Sequence, residues 1–431
     1  MSDAESTIHS RPPSVDALAR SISDTGLPHG LLVEAAREAI SAGDPDSARE
    51  IAARTQQLML QRVINATGTM LHTNLGRAPN GVQQAPGYRN LELDLSTGER
   101  GSRQAHAPQL IARLCNAESA MVVNNCASAV MLVLAALANK RDVAVSRGEL
   151  VEIGGGFRVP DVMAQSGANL IEVGTTNRTR AADYRSRIED PETDVALVMQ
   201  IHQSNFKIVG FTEMPSTKAL AGLGVPLVAD IGSGLLDAAC PWLPQGPPSW
   251  LADEPAAKQT LADGAALVTF SGDKLMGGPQ AGIIAGDADL VARCAKHPLA
   301  RALRPGGLVL GALQELALAY LRRDGESIPF WKMANASIDS LTERSEKIVA
   351  AIGAGTVVET MAVPGGGTLP TVEIPSVGIA LPGDQREYLR TAEVAIIARV
   401  NEDITYLDLR TVDPADDEAI IERLKTLYGG L

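Results

Sequence analysis

The sequence is poor in cysteine: Cys115, Cys126, Cys240 and Cys294 are the four present in a chain of 431 residues. They lie far apart and form no CxxC pair, which argues against a metal site and against a disulfide framework, and leaves free thiols as the expectation. Long apolar runs are absent too; none approaches the ~20 residues needed to cross a bilayer. The opening stretch MSDAESTIHSRPP is polar and has no apolar core of a secretory signal. A cytoplasmic location without membrane attachment is expected. Low-complexity segments and internal repeats are missing as well, because the 40 Gly and 25 Pro are scattered. Positive charge is in the minority, with 38 Lys and Arg against 51 Asp and Glu, a net charge of −13. Phosphate-backbone binding draws its affinity from Lys and Arg, so this balance excludes a general nucleic-acid binder; any nucleic-acid partner must meet a local basic patch.

What is there is an ordinary globular composition, 45% hydrophobic and 21% charged, and enough chain for a large domain with smaller companions. Residues 14–60 carry Val15, Leu18, Ala19, Leu31, Leu32, Ala35 and Ala36 at spacings of three and four, which predicts helices broken at Gly43-Asp44-Pro45. From about residue 63 short apolar runs alternate with helical stretches. Strands are expected at 119–123, 142–145, 169–173, 195–201, 226–229, 266–270 and 281–285, each nearly continuous in hydrophobicity, as a parallel sheet covered on both faces requires. After residue 300 two long helices precede short alternating strands and a last helix. The expectation is an α/β protein with a mostly parallel central sheet: a helical module over 1–62, an α/β domain over 63–305 and an α+β domain over 306–431.

Chemistry concentrates where expected strands end. Ser271-Gly272-Asp273-Lys274 follows the apolar strand 266–270. A lysine at the end of a buried strand can form a Schiff base once burial lowers its pKa, although most lysines in turns are solvated. Asp230, forty-four positions earlier, ends the run Pro226–Ala229 and precedes Ile231-Gly232-Ser233-Gly234. It can pair with the protonated pyridine nitrogen of a pyridoxal 5′-phosphate carried by Lys274, or simply cap a helix. Asn124-Asn125-Cys126-Ala127-Ser128 lies between a strand and an apolar helix, so the N–H groups at Asn125, Cys126 and Ala127 can hold the cofactor phosphate; Cys126 reads as a small filler, not a nucleophile. Ile201-His202-Gln203-Ser204-Asn205 follows another strand at the end where α/β sheets place ligands; Ser204 or Asn205 is suited to the cofactor's ring oxygen, and His202 reads as structural. Arg301 and Arg304, at i and i+3, would share one helical face as a fork for an anion, with Arg77 as a third cation; the alternative is a solvated or salt-bridged face.

With these residues in order, the sequence resembles the bacterial selenocysteine synthases, the L-seryl-tRNA(Sec) selenium transferases of the fold-type-I pyridoxal-phosphate class. The matching strings run almost the length of the chain. They include Ile64-Asn65-Ala66-Thr67-Gly68, Leu71-His72-Thr73-Asn74-Leu75-Gly76-Arg77, Leu150-Val151-Glu152-Ile153-Gly154-Gly155, Glu172-Val173-Gly174-Thr175-Thr176-Asn177, the Lys274 string, the Arg301/Arg304 pair and Gly365-Gly366-Gly367-Thr368-Leu369-Pro370. The resemblance implies that Lys274 holds the cofactor, Asp230 faces its pyridine nitrogen, and Arg77, Arg301 and Arg304 bind selenophosphate. It implies conversion of seryl-tRNA(Sec) to selenocysteinyl-tRNA(Sec) through an aminoacrylyl intermediate, with Lys274 moving protons, by a homo-oligomer built from dimers. Two departures stand out: the family's usual Asn-Asn-Asn-Ala-Ala-Ala loop reads Asn-Asn-Cys-Ala-Ser-Ala at 124–129, and Pro305-Gly306-Gly307 replaces Val-Asp-Lys. These and the acidic balance suit an alternative, a related lyase acting on a small amino acid or amino-sugar phosphate, whereas the N-terminal helical module suits the tRNA substrate.

Overall fold

The computed structural model describes residues 13–79, 81, 86–153 and 157–429, so the glycines closing the 150–155 string lie outside the described residues. The chain divides into two compact units, residues 1–63 and 64–431; the expected boundary at 305 falls inside the second.

In the first unit, helices Val15–Ser21, His29–Ser41 and Ala48–Gln57 pack on one another. The Ser14 side chain accepts from the Ala17 N–H at 3.2 Å and so caps the first. Their shared core is built largely from alanine, with Ala19, Ala35, Ala36, Ala39 and Ala52 buried around Leu32 and Ile51. Small side chains let the helix backbones approach closely, and the chain turns at Gly43 where the sequence places the break.

The second unit is organised by a seven-stranded sheet: β1 (Ser119–Val123), β2 (Asp142–Ser146), β3 (Asn169–Val173), β4 (Val195–Ile201), β5 (Leu227–Gly232), β6 (Leu267–Ser271) and β7 (Gly282–Gly286). Their order across the sheet is β1-β7-β6-β5-β4-β2-β3. Strand β7 runs antiparallel to both β1 and β6, while β6-β5, β5-β4, β4-β2 and β2-β3 are parallel. Both faces are covered, which explains the continuous apolar runs: along β1, Ala120 and Val122 enter one core and Met121 and Val123 the other. In β6, Leu267 joins the second core and Val268 and Phe270 the first. The α/β architecture with a mostly parallel sheet is the one expected from the sequence.

A five-stranded sheet follows, ordered Arg399–Asn401, Ile404–Asp408, Ile374–Pro382, Thr356–Gly365 and Thr69–Leu71. Helices Ile338–Ile352 and Asp417–Tyr428 close a third core against it. The last strand comes from far upstream and pairs in parallel, Val363 opposite Thr69 and Gly365 opposite Leu71. Five strands of the larger sheet bring loops to one end: the carboxyl ends of β1, β4, β5 and β6 and the start of β7, where Gly282 lies opposite Val123 and Ser271.

Candidate active site

Lys274 stands three residues beyond β6 and is only 5% exposed. The turn is fixed by main-chain bonds from the Gly272 N–H to Ala281 and from the Leu275 N–H to Ser233, both 2.9 Å. Gly234 allows this, because a Cβ there would lie 2.4 Å from the Ser271 carbonyl oxygen and its φ is +79°. The Lys274 Nζ donates to the Gly367 carbonyl at 2.8 Å. Burial holds its pKa below the ordinary lysine value; Arg77 pushes the same way, against Cys126, Asp230 and Asp273.

Asp230, in β5, is 8% exposed. Its Oδ1 accepts from Thr269 Oγ1 at 3.0 Å, from the Gly232 N–H at 3.2 Å and from Cys126 Sγ at 3.4 Å. No donor among the described residues reaches Oδ2 and no cation pairs with it at ion-pair distance. Burial accordingly raises its pKa in spite of those three bonds. The Cys126 thiol is itself pushed well up, by burial first and then by the Asp230 charge, so it is a poor nucleophile. The contact of Cys126 with Asp230 was not readable from the sequence.

Helix Cys126–Leu137 begins beside them. Asn125 caps it by accepting from the Ser128 N–H at 2.8 Å, and leaves the N–H groups of Cys126 and Ala127 with no acceptor inside the helix. Strand β7 passes directly beneath: a Cβ at Gly282 would sit 2.0 Å from the Asn125 carbonyl oxygen, so only glycine fits. Ser271 is buried and lies against the Cys126 thiol. Ser204 is buried with its Oγ facing Gly232. Asn205 is drawn aside, donating through Nδ2 to the Glu152 carbonyl at 2.9 Å, while its Oδ1 is buried without a partner.

The three expected arginines separate. Arg77 reaches the site, bonding Asp273 at 2.8 Å through Nη1. Arg304 lies beside the Asn124 loop, because the Leu303 carbonyl accepts from the Asn124 N–H at 2.9 Å. It contacts Glu92 at 3.5 Å, and Glu92 also holds Arg103 at 2.7 Å and Arg100 at 3.0 Å. The Glu92 carboxyl is held below its usual pKa by Arg103 first and Arg100 second. Arg301 is exposed. The helix expected to align Arg301 and Arg304 spans only Leu299–Ala302. Arg304 falls outside it because a residue preceding proline, here Pro305, is disfavoured in helical geometry.

A cavity of about 540 Å³ opens beside Asp230, lined among others by Glu149, His202, Gln203, Trp250 and Glu254, and by the 369–372 segment. Lys274 is not part of its wall, so this space adjoins the lysine site without containing it. Glu149 is buried and its pKa is pushed up to about 8 by burial, against one bond from the Ile201 N–H. His202 is paired, 3.3 Å from Glu254 Oε2. Sequence reasoning passed over Glu92, Asp273, Thr269 and Glu254; Asp273 pairs with Arg77 and Glu92 meets Arg304 across distant segments, although Arg100 and Arg103 lie close to Glu92 in the chain.

Residues 63–413 match the family model of the L-seryl-tRNA selenium transferases. The chain belongs to that family. An L-seryl-tRNA(Sec) selenium transferase of Geobacter metallireducens is 40% identical over 97% of this chain and 94% of its own. One of Solidesulfovibrio magneticus is 44% identical over 86% and 82%. Among solved structures, a D-glucosaminate-6-phosphate ammonia-lyase matches with a TM-score of 0.59 at 20% identity, covering 88% of this chain and 98% of that one, which is a likeness of fold. Among the described residues no helix is long and apolar enough to cross a membrane, and no group of His, Cys, Asp and Glu could hold a metal ion.

The residues of this family member fit pyridoxal 5′-phosphate. A buried lysine shifted toward its neutral form, a buried carboxylate with an open oxygen and no cation, and a helix start with free N–H groups are the three partners such a group needs.

Proposed function

We propose that the chain converts seryl-tRNA(Sec) to selenocysteinyl-tRNA(Sec) with selenophosphate, using pyridoxal 5′-phosphate held on Lys274. The observation that carries this reading is the buried Lys274 beside the half-satisfied Asp230, on a chain of the selenium transferase family. Bound there, the cofactor supplies an electron sink for charge at the serine α-carbon. Asp230 would face the pyridine nitrogen through its open Oδ2, and the Cys126 and Ala127 N–H groups, with Ser271 alongside, would hold the phosphate. Ser204 would serve the ring oxygen, and Asn205 would serve it less well with its amide engaged by the Glu152 carbonyl. Burial keeps Lys274 a usable base, so its Nζ can take the serine α-proton and return it after selenium has added. Arg77 and Arg304, each paired to a carboxylate, would supply positive charge for selenophosphate, and Arg301 is exposed to solvent.

The tRNA substrate distinguishes this reading from a small-molecule lyase. A homo-oligomer built from dimers, working in the cytoplasm, belongs to the same proposal; exposed Phe206, Val209 and Phe211 on one loop are apolar surface that a second copy could cover. The test is transfer of labelled selenium from selenophosphate onto seryl-tRNA(Sec) by the purified, cofactor-loaded protein, with ordinary seryl-tRNA as control. Label on the Sec-specific acceptor alone supports the function. No transfer, with ammonia released from a small amino acid or amino-sugar phosphate, refutes it.

A further inference from the structure

The cavity beside Asp230 has a use that the lysine site does not explain. It is bounded on one side by Asp230 and on another by residues 369–372, two positions past the Gly367 carbonyl that holds Lys274 Nζ. Whatever is joined to the reacting serine can therefore enter it. Its volume of about 540 Å³ lies within the ~300–1,000 Å³ range of small-molecule sites. Its walls combine Trp250 and Phe206 with acceptors: Asp253, Glu254, Glu149 and Asp230, set against Lys207.

Glu254 is the decisive residue. Its side chain is 2% exposed, one oxygen is 3.3 Å from His202 Nε2, and the other, Oε1, is buried without a hydrogen-bond partner. A buried carboxylate oxygen left unpaired is costly and calls for a donor. Asp253 and Glu254 outweigh Lys207 and disfavour a phosphate here, while Glu149 keeps its proton, so the fitting ligand is a neutral group rich in donors with a flat apolar face. Ribose hydroxyls and a nucleobase amine meet that description, and bases stack on aromatic side chains whatever their sequence.

We infer that this cavity binds the 3′-terminal nucleoside that carries the serine ester, with Glu254 Oε1 accepting a hydrogen bond from it and Trp250 providing the apolar wall. This rests on the proposed tRNA substrate and adds to it where the acceptor end is seated. It also explains how an acidic chain engages tRNA near its reaction centre: through the nucleoside, not its phosphates.

The experiment uses the cofactor-loaded enzyme and a non-hydrolysable probe, 3′-serylamido-3′-deoxyadenosine, with serine amide as the truncated control. The probe should compete with seryl-tRNA(Sec), not with selenophosphate, and bind about 100-fold more tightly than serine amide. Glu254→Gln, which keeps the side chain's shape, should raise the probe's inhibition constant and the KM for seryl-tRNA(Sec) about tenfold, with kcat, the KM for selenophosphate and the cofactor's absorption unchanged. A probe no tighter than serine amide, in an enzyme that still turns over seryl-tRNA(Sec), overturns the cavity assignment and spares the function. Unchanged constants in Glu254→Gln remove Glu254 from the contact. An enzyme that neither binds the probe nor turns over seryl-tRNA(Sec) brings down both.

Discussion

Two buried aspartates sit at or beside the carboxyl ends of strands, one in each sheet, and their surroundings differ in kind. Asp408, closing the strand Ile404–Asp408, is fully buried and both its oxygens are used: Oδ2 by Thr360 Oγ1 at 2.6 Å, Oδ1 by Ser376 Oγ at 2.7 Å and the Arg410 N–H at 3.1 Å. Asp230 crowds its donors onto Oδ1 and keeps Oδ2 open. A carboxylate whose acceptors are filled by its own sheet ties strands together. One that holds an oxygen in reserve is waiting for something from outside the chain, and its raised pKa is the electrostatic mark of that reserve.

Substitutions should separate the two roles. The largest effect is expected at the partner of the reserved carboxylate: Lys274→Ala should abolish turnover and the visible absorption of lysine-bound cofactor while the fold persists, and a variant retaining both would show that another lysine carries the group. Asp408→Ala should then cost about 3 kcal/mol of folding stability, because it strands three buried donors; denaturant titration measures it, and a loss under about 1 kcal/mol would erase the distinction. Asp230→Ala should lower kcat/KM by about 100-fold while costing less stability than Asp408→Ala, because it frees three donors but also removes a buried carboxylate whose Oδ2 has no partner. The last expected effect concerns pH. Glu149 keeps its proton in the folded state up to about 8, against an unfolded value of 4.5, so the folded state binds more protons between these limits and stability falls as pH rises through that window. Glu149→Gln should flatten that slope, and denaturation midpoints at pH 5 and pH 8 will show whether it does.

The sequence made the central sheet legible because its strands are covered on both faces; continuous apolar runs such as 195–201 and 119–123 leave little room for another reading. Lys274 and Asp230 were legible for a related reason, since each follows or closes such a run. What escaped was non-local. Thr69–Leu71 is three residues long, and only its pairing to Val363–Gly365, almost three hundred positions on, makes it a strand. Glu92 gives no local sign that it gathers Arg304 together with Arg100 and Arg103, because Arg304 belongs to a segment far downstream in the chain. The paired arginine motif misled in geometry because Pro305 ends the helical conformation at Arg304, a constraint present in the sequence that spacing alone ignores.

The bond from the Asn124 N–H to the Leu303 carbonyl joins the segment that would grip the cofactor phosphate to the one that carries Arg304. It is made by main chain at both ends, so no exchange of side chains at either position deletes it. The spacing of these two main-chain segments is thus a fixed gauge: variants of Asn125, Cys126, Arg301 or Arg304 would change how strongly each proposed anion is held while the segments themselves stay joined.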